Sequence, residues 1–308
     1  MLIRPAQRHY RNWNQDSARW EHFRPRAGDI IISTYPKCGT TWTQTIVSLL
    51  IFQDATPRPV LDIAPWFDQR GVEPLDALLG RLEAQRHRRF LKSHLPLDGL
   101  PLWSEIRYIH TARDGRDALL SFHHHELGLA DAVLDASDRI GLADLALGRP
   151  YPRMPEDPAE GFHRWLTQGL APDSDGLPYM SFFGFERSWW DERDRPNVLL
   201  LHYNDLKADL EREMRRIATF LEITVLEALW PQLVQAARFQ TMRAQGDALM
   251  GKAAAGFKGG GSHFFNKGEN GRWRGAFRDE DLDLYQEKLT DCLPPEAAAW
   301  LQNGRSVP

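Results

Sequence analysis

Three groups of residues carry types and spacings that could do chemistry. The first is Lys37, Cys38, Gly39, Thr40, Thr41 and Trp42, within the string TYPKCGTTW. The second is Lys92-Ser93-His94 and the third is Arg113, with Ser121 eight residues later. Lysine and arginine place positive charge, threonine hydroxyls donate hydrogen bonds, and a histidine can take a proton near neutral pH. Together these residues suit an anionic ligand and a proton transfer. The surroundings of Lys37 sharpen the first point. Ile30, Ile31 and Ile32 read as a fully buried strand, and Tyr35-Pro36 breaks it, because the residue before a proline is pushed out of helical geometry. Gly39 allows a tight turn, and from Thr41 the apolar residues Trp42, Ile46, Leu49 and Leu50 fall at helical spacing. Strand, turn and helix over 30–52 point free N–H groups and a helix dipole at an anion, and phosphate is the natural one.

Residue order excludes the commonest phosphate loop. A G-x-x-x-x-G-K-[ST] motif puts its lysine after the second glycine, whereas Lys37 precedes Gly39 and no glycine stands five positions upstream of it. PKCGTTW instead resembles the 5′-phosphosulfate loop of sulfotransferases that use PAPS (3′-phosphoadenosine 5′-phosphosulfate), usually PKSGTTW. Cys38 stands at the serine, losing a hydroxyl and keeping a small residue. The stretch 106–125 resembles the same family's 3′-phosphate segment, with Arg113 and Ser121 at its spacing; an arginine fork suits a phosphate because it bonds two oxygens at once. LHYNDLKADLE resembles the segment whose tyrosine touches adenine, here Tyr203. AARFQTMR resembles the adenine-side segment through Phe239 and Met242, with Ala237 where a hydroxyl residue is usual. NKGENGRW resembles RKGxxGDW: Lys267, Gly268, Gly271 and Trp273 match, while Asn266 replaces the arginine and Arg272 the aspartate.

The resemblance covers roughly residues 20–289 and is to the cytosolic-type PAPS-dependent sulfotransferases of small molecules. It implies a single α/β domain, a central parallel sheet flanked by helices, and PAPS as sulfuryl donor. It assigns His94 as base, Lys37 to the bridging oxygen of the leaving nucleotide, and Lys92 to the transferring group. Ser121 would tether Lys37 until an acceptor binds, and Trp42, Tyr203 and Phe239 would hold the adenine. Cofactor contacts then fall to Lys37, Cys38, Gly39, Thr40, Thr41, Trp42, Arg113, Ser121, Tyr203, Phe239, Met242, Asn266, Lys267 and Gly268. A loop cation such as Lys252, Lys258 or Arg272 could replace the arginine missing at Asn266. The expected acceptor is a small alcohol, phenol or amine of apolar or aromatic character. Its pocket is expected from Trp66 and Phe67, from 122–129 and from 246–265. No metal is expected, because no metal-ligand spacing occurs. His123, His124 and His125 point about 100° apart on a helix and cannot converge on one ion.

Two other readings compete. A phosphoryl transferase would need Mg²⁺ and an acidic residue at a strand end to hold it, and none is evident. A PAPS- or PAP-binding protein without transfer activity would explain Asn266 and Ala237 but not the retained His94. Within the transfer reading, a glycan acceptor is a weaker alternative to a small molecule.

The elements that must position these groups follow from the pattern. Strands are expected over 30–32, at 90–91, over 106–109 and over 198–203. Helices are expected over 75–85, 117–124 and 179–190, and another from 204 or 205 to 221 in one run. A helix capped by Asp157 and ended by Gly169 is the single one expected within 128–178. Residues 1–27 read as an arm pinned by Tyr10, Trp13, Trp20 and Phe23, and 246–275 as a mobile glycine-rich loop. All 308 residues are expected in one domain. A net charge of −4 gives no global field for nucleic acid or anionic membrane, and two cysteines suit a reducing cytoplasm. No segment resembles a signal peptide or membrane span. The sequence leaves homodimerisation open.

Overall fold

A computed structural model gives the fold over residues 1–172 and 174–305, without the side chain of Ser262; residues 306–308 of the expected domain lie outside the described residues. Its centre is a parallel sheet of four strands: β1 (Ile30–Ser33), β2 (Phe90–Ser93), β3 (Arg107–Ala112) and β4 (Val198–His202), in the order β2-β1-β3-β4. Ile30, Ile31, Ile32 and Ser33 lie opposite Phe90, Leu91, Lys92 and Ser93, so the two candidate loops leave the same edge side by side.

Side chains alternate across this sheet and divide the core in two. Ile31, Leu91 and Tyr108 pack on one face with Phe162, Trp165, Phe182 and Tyr285. Ile30, Ile32, Phe90 and Ile109 pack on the other with Ile46, Leu50, Met214 and Ile217. All three isoleucines are fully buried, each worth about 1.5–3 kcal/mol. Helix α1 (Thr40–Phe52) belongs to the second face; α2 (Gly115–Leu127) begins at an Asp114 cap, whose carboxylate accepts from the Arg116 N–H. At the opposite edge of the sheet Asp29 and Arg89, just ahead of β1 and β2, form a buried ion pair; Arg89 Nε donates to Asp29 Oδ1 at 2.9 Å.

The structure departs from expectation in four places. A second helix, α3 (Asp131–Ala143), lies in the alanine- and aspartate-rich stretch that reads as irregular, ahead of the expected helix α4 (Pro158–Thr167). Gln168 caps α4, one residue before Gly169. The single helix expected after β4 is two, Tyr203–Ala208 and Leu210–Phe220, because Asp209 leaves helical geometry and its carboxylate caps the second through the Arg212 N–H at 3.0 Å. The glycine-rich segment from 246 folds into short helical turns, Gly246–Met250, Gly251–Gly256 and Gly260–Phe264. The N-terminal arm is pinned as expected, with Trp13, Trp20 and Phe23 buried and the Tyr10 hydroxyl on Asp98.

Candidate active site

The turn after β1 sets the site's geometry. Lys37 has φ +68° and Gly39 φ +109°, so two left-handed residues reverse the chain within three positions. A Cβ at Gly39 would come within 3.3 Å of the Tyr203 ring in a backbone conformation that side chains avoid; glycine is required. The turn sends alternate side chains opposite ways. Lys37 and Thr40 face a cavity of about 610 Å³, whereas Cys38 is fully buried against the core and its N–H donates to the Tyr35 carbonyl. The Cys38 side chain, expected at the cofactor, therefore does not line the cavity. Gly39, Thr40, Thr41 and Trp42 do line it.

Lys37 carries its ammonium to within 3.4 Å of His125 Nδ1 and 4.1 Å of the Phe264 ring centre. It meets His125, not the Ser121 expected to tether it. Burial, then the charges of Lys92 and Arg113, pushes Lys37 down to about 7, and burial takes Lys92 down to about 8. Lys92 lies over the Trp66 ring, 4.5 Å from its centre.

His94 leaves the end of β2 and turns beneath the same cavity. Its Nδ1 donates to the Thr34 carbonyl at 2.7 Å, which fixes the proton on that nitrogen and leaves the Nε2 lone pair free. Burial and the neighbouring Lys92 ammonium hold the ring neutral, well below the usual imidazole range. Trp66 stands edge-on to His94, with ring centres 4.8 Å apart. Behind it lies Asp68, fully buried, which accepts from Trp66 Nε1, Trp20 Nε1 and Ser93 Oγ. Burial raises Asp68 to about 6, against the pull of its three donors and of the Lys92 charge. Gln15, from the N-terminal arm, donates to the His94 carbonyl at 3.0 Å. Trp66 lines the cavity as expected, but Phe67 is fully buried in the core and does not.

The opposite wall is built around Arg113 at the end of β3. Its guanidinium lies 4.2 Å over the Tyr203 ring and donates to the Lys37 carbonyl, the Glu269 carbonyl and Asn270 Oδ1. Its Nε is buried and has no partner among the described residues. Trp42 meets Tyr203 edge-on at 5.2 Å and donates through Nε1 to the Ala237 carbonyl at 2.8 Å. Ala237 thus serves the wall through its backbone despite lacking a hydroxyl. Phe239, Met242, Asn266, Lys267, Gly268 and Ser121 complete this side. Gly268 has φ +67°, and a Cβ there would meet the Phe239 ring at 2.8 Å. Of the three loop cations, Lys252 and Arg272 line the cavity, whereas Lys258 turns away to Asp131 at 3.0 Å.

The three consecutive histidines diverge: His123 reaches the Pro155 carbonyl, His124 stacks on His263, and His125 meets Lys37. Among the described residues no group of three His, Cys, Asp or Glu side chains could hold a metal ion. Sequence reasoning missed Asp68, Gln15, Asp117, Tyr151 and Tyr179. Asp117 receives the Gly271 N–H at 2.8 Å and ties the late loop to α2.

This arrangement has relatives. The sulfotransferase domain model matches residues 27–292. A glycolipid sulfotransferase of Mycobacterium bovis is 33% identical over 96% of this chain and 94% of its own length. Sulfotransferase 1B1 of Mus musculus is 28% identical, covering 91% and 87% of the two chains. Among solved structures, mouse sulfotransferase SULT7A1 complexed with PAP superposes with a TM-score of 0.70 at 19% identity, over 92% of each chain. Retinol dehydratase in a complex with retinol and PAP gives 0.64 at 25% identity, over 89% of this chain and 85% of that one. With its parallel sheet, phosphate loop and family match in register, the chain belongs to the sulfotransferase family.

Proposed function

We propose that this protein transfers a sulfuryl group from PAPS to a hydroxyl, or less readily an amine, of a small acceptor, with His94 as the base. One observation carries the reading: His94 is fixed as the tautomer whose Nε2 lone pair is free, in the same cavity as the ammonium groups of Lys37 and Lys92.

The residues fit the donor. The buried, unpartnered Nε of Arg113 leaves one strong donor for a phosphate. The N-terminus of α1 and the Thr40 and Thr41 hydroxyls suit the 5′ end. Trp42, Tyr203 and Phe239 offer apolar faces to a base. Arg272 and Lys252 line the cavity where Asn266 supplies no charge, and either compensates for the missing arginine. When bound, PAPS supplies the sulfuryl group and leaves as PAP with the electron pair of the broken sulfur–oxygen bond. His94 Nε2 takes the acceptor's proton as its oxygen attacks. Lys37 and Lys92 offset negative charge at the leaving oxygen and the group in transfer, a role preorganised cations fill in a dry site. A metal ion has no task in this scheme, and exhaustive EDTA treatment should leave activity unchanged.

No helix among the described residues is long and apolar enough to cross a membrane; a cytoplasmic location is part of the proposal. The mycobacterial relative's name makes glycolipids reasonable acceptors to try beside simple phenols. The test is mass-spectrometric detection of sulfated product from PAPS with a panel of phenols, alcohols and glycolipids. Tight PAP binding without product from any acceptor would favour the binding-protein reading instead.

A further inference from the structure

Glu126, near the end of α2, is a buried carboxyl that the transfer scheme does not use. It lines the cavity at 7% exposure, and no basic side chain among the described residues forms an ion pair with it. Its Oε2 accepts from the Tyr151 hydroxyl at 2.8 Å. Tyr151 is itself fixed: its ring meets Trp13 edge-on at 5.9 Å, and its N–H donates to Asp138 Oδ1. A carboxyl held this firmly feels the charges of Lys37 and Arg153 but is in direct contact with neither, and it keeps acceptor capacity that the fold leaves unused.

Its neighbours say which end of the cavity it serves. Phe122, one helical turn before Glu126 on α2, packs 5.7 Å from Tyr179, whose ring lies 6.3 Å from that of His94. The carboxyl thus belongs to the His94 side of the cavity. Leu129, Phe257 and Phe264 give this side an apolar lining. Burial raises Glu126 to about 7, which weakens it as a counter-ion and leaves it a hydrogen-bond acceptor. Lys37 and Lys92 already crowd this space, so an ammonium would enter as a third like charge, whereas a hydroxyl adds none.

We propose that Glu126, positioned by Tyr151, accepts a hydrogen bond from a second hydroxyl of the acceptor, so that the preferred acceptors are neutral molecules with two hydroxyls on an apolar frame. One hydroxyl faces His94 and the other faces Glu126. The inference rests on the sulfuryl-transfer reading and narrows its acceptor class.

The experiment compares matched phenols whose far end is an alkyl group, an alcohol or an ammonium. The core set is 4-ethylphenol, 4-hydroxyphenethyl alcohol and tyramine, with one-carbon shorter and longer alcohols to cover the span. Binding to PAP-loaded protein is read by calorimetry and turnover separately by product formation. The best alcohol should bind about three- to tenfold tighter than its alkyl partner, as for an ordinary hydrogen bond. Glu126→Leu should bring that ratio to within about twofold, and Tyr151→Phe should reduce it in part. Comparing ratios removes the effect of Glu126 on Lys37, which is common to all acceptors. PAP affinity reports that each variant is folded; if Glu126→Leu loses it, Glu126→Gln and Tyr151→Phe decide on the same ratio. An unchanged ratio in the folded variants, or tightest binding by the ammonium, would overturn the inference. Absence of product with every acceptor would instead sink the transfer reading while leaving the binding ratios readable.

Discussion

Strands β1 and β2 run side by side with charge at both ends, and the two ends are handled in opposite ways. Ahead of the strands, Asp29 and Arg89 neutralise each other with both side chains 2% exposed. Beyond them, Lys37 and Lys92 bring like charges into one cavity, and neither forms an ion pair with a carboxylate among the described residues. The first end is complete in the folded chain. The second is left incomplete, and its cations are partly discharged by burial. A fold can therefore tolerate charge at a sheet edge in two ways: by pairing it, or by keeping it poorly solvated until an anion arrives. Only the second way leaves binding energy for a ligand.

The predictions test that contrast. At the unpaired end, His94→Ala should cut turnover by about two to four powers of ten and leave PAP affinity within about twofold, checked by steady-state kinetics and calorimetry. Wild-type turnover in this variant would remove His94 from the mechanism. At the paired end, Arg89→Ala leaves Asp29 buried without its partner. It should cost about 3–5 kcal/mol of stability in urea unfolding, with little change in kcat for protein that remains folded.

Lys37→Met should do the reverse, abolishing transfer while stabilising the fold by about 1–2 kcal/mol. The sign follows from its pKa. Lys37 titrates near 7 when folded against an ordinary 10.5, so between those values the unfolded chain binds more protons and stability rises with pH. The penalty is full below about pH 7, and the gain from methionine should be largest there and shrink towards pH 9; thermal melts at pH 6.5 and 9 would show it. An equal gain at both would mean that Lys37 is not held uncharged. The same argument predicts proton uptake when PAP binds at pH 8, because an anion beside Lys37 restores its charge; binding enthalpies in buffers of different ionisation heat measure it. The smallest effect is expected at Arg272→Ala, about a tenfold loss of PAP affinity with little loss for the nucleotide lacking the 3′-phosphate.

How far the site could be read beforehand depended on how local its causes are. Lys37, Gly39, Thr40 and Arg113 follow from contiguous strand-turn-helix signals, and the structure brings them to one cavity. Cys38 reads as a contact because it sits inside the loop, yet the left-handed Lys37 reverses the alternation and drives it inward. The Asp68–Trp66–His94 arrangement joins segments 26 and 28 residues apart, through side chains and a single backbone bridge between Trp66 and Lys92, and no periodicity announces it. Helix α3 escaped because alanine, aspartate and glycine imitate loop composition, although its amphipathic face packs well enough to bury Ser137 and Gly141. The break at Asp209 escaped for the opposite reason: apolar spacing runs on through it, and only the cap geometry marks the interruption.

Gln15 on the His94 carbonyl and Arg272 on the far wall stand at nearly opposite ends of the chain, yet both border one cavity. During synthesis the Lys37–Thr41 turn and His94 emerge early, long before the wall that Arg113 shares with Glu269 and Asn270. A nascent or prematurely terminated chain thus presents cations without the enclosure that orders them. Enclosure of the cavity waits until Glu269, Asn270 and Arg272 have left the ribosome, so fragments that stop short of them inherit the loop without its far wall.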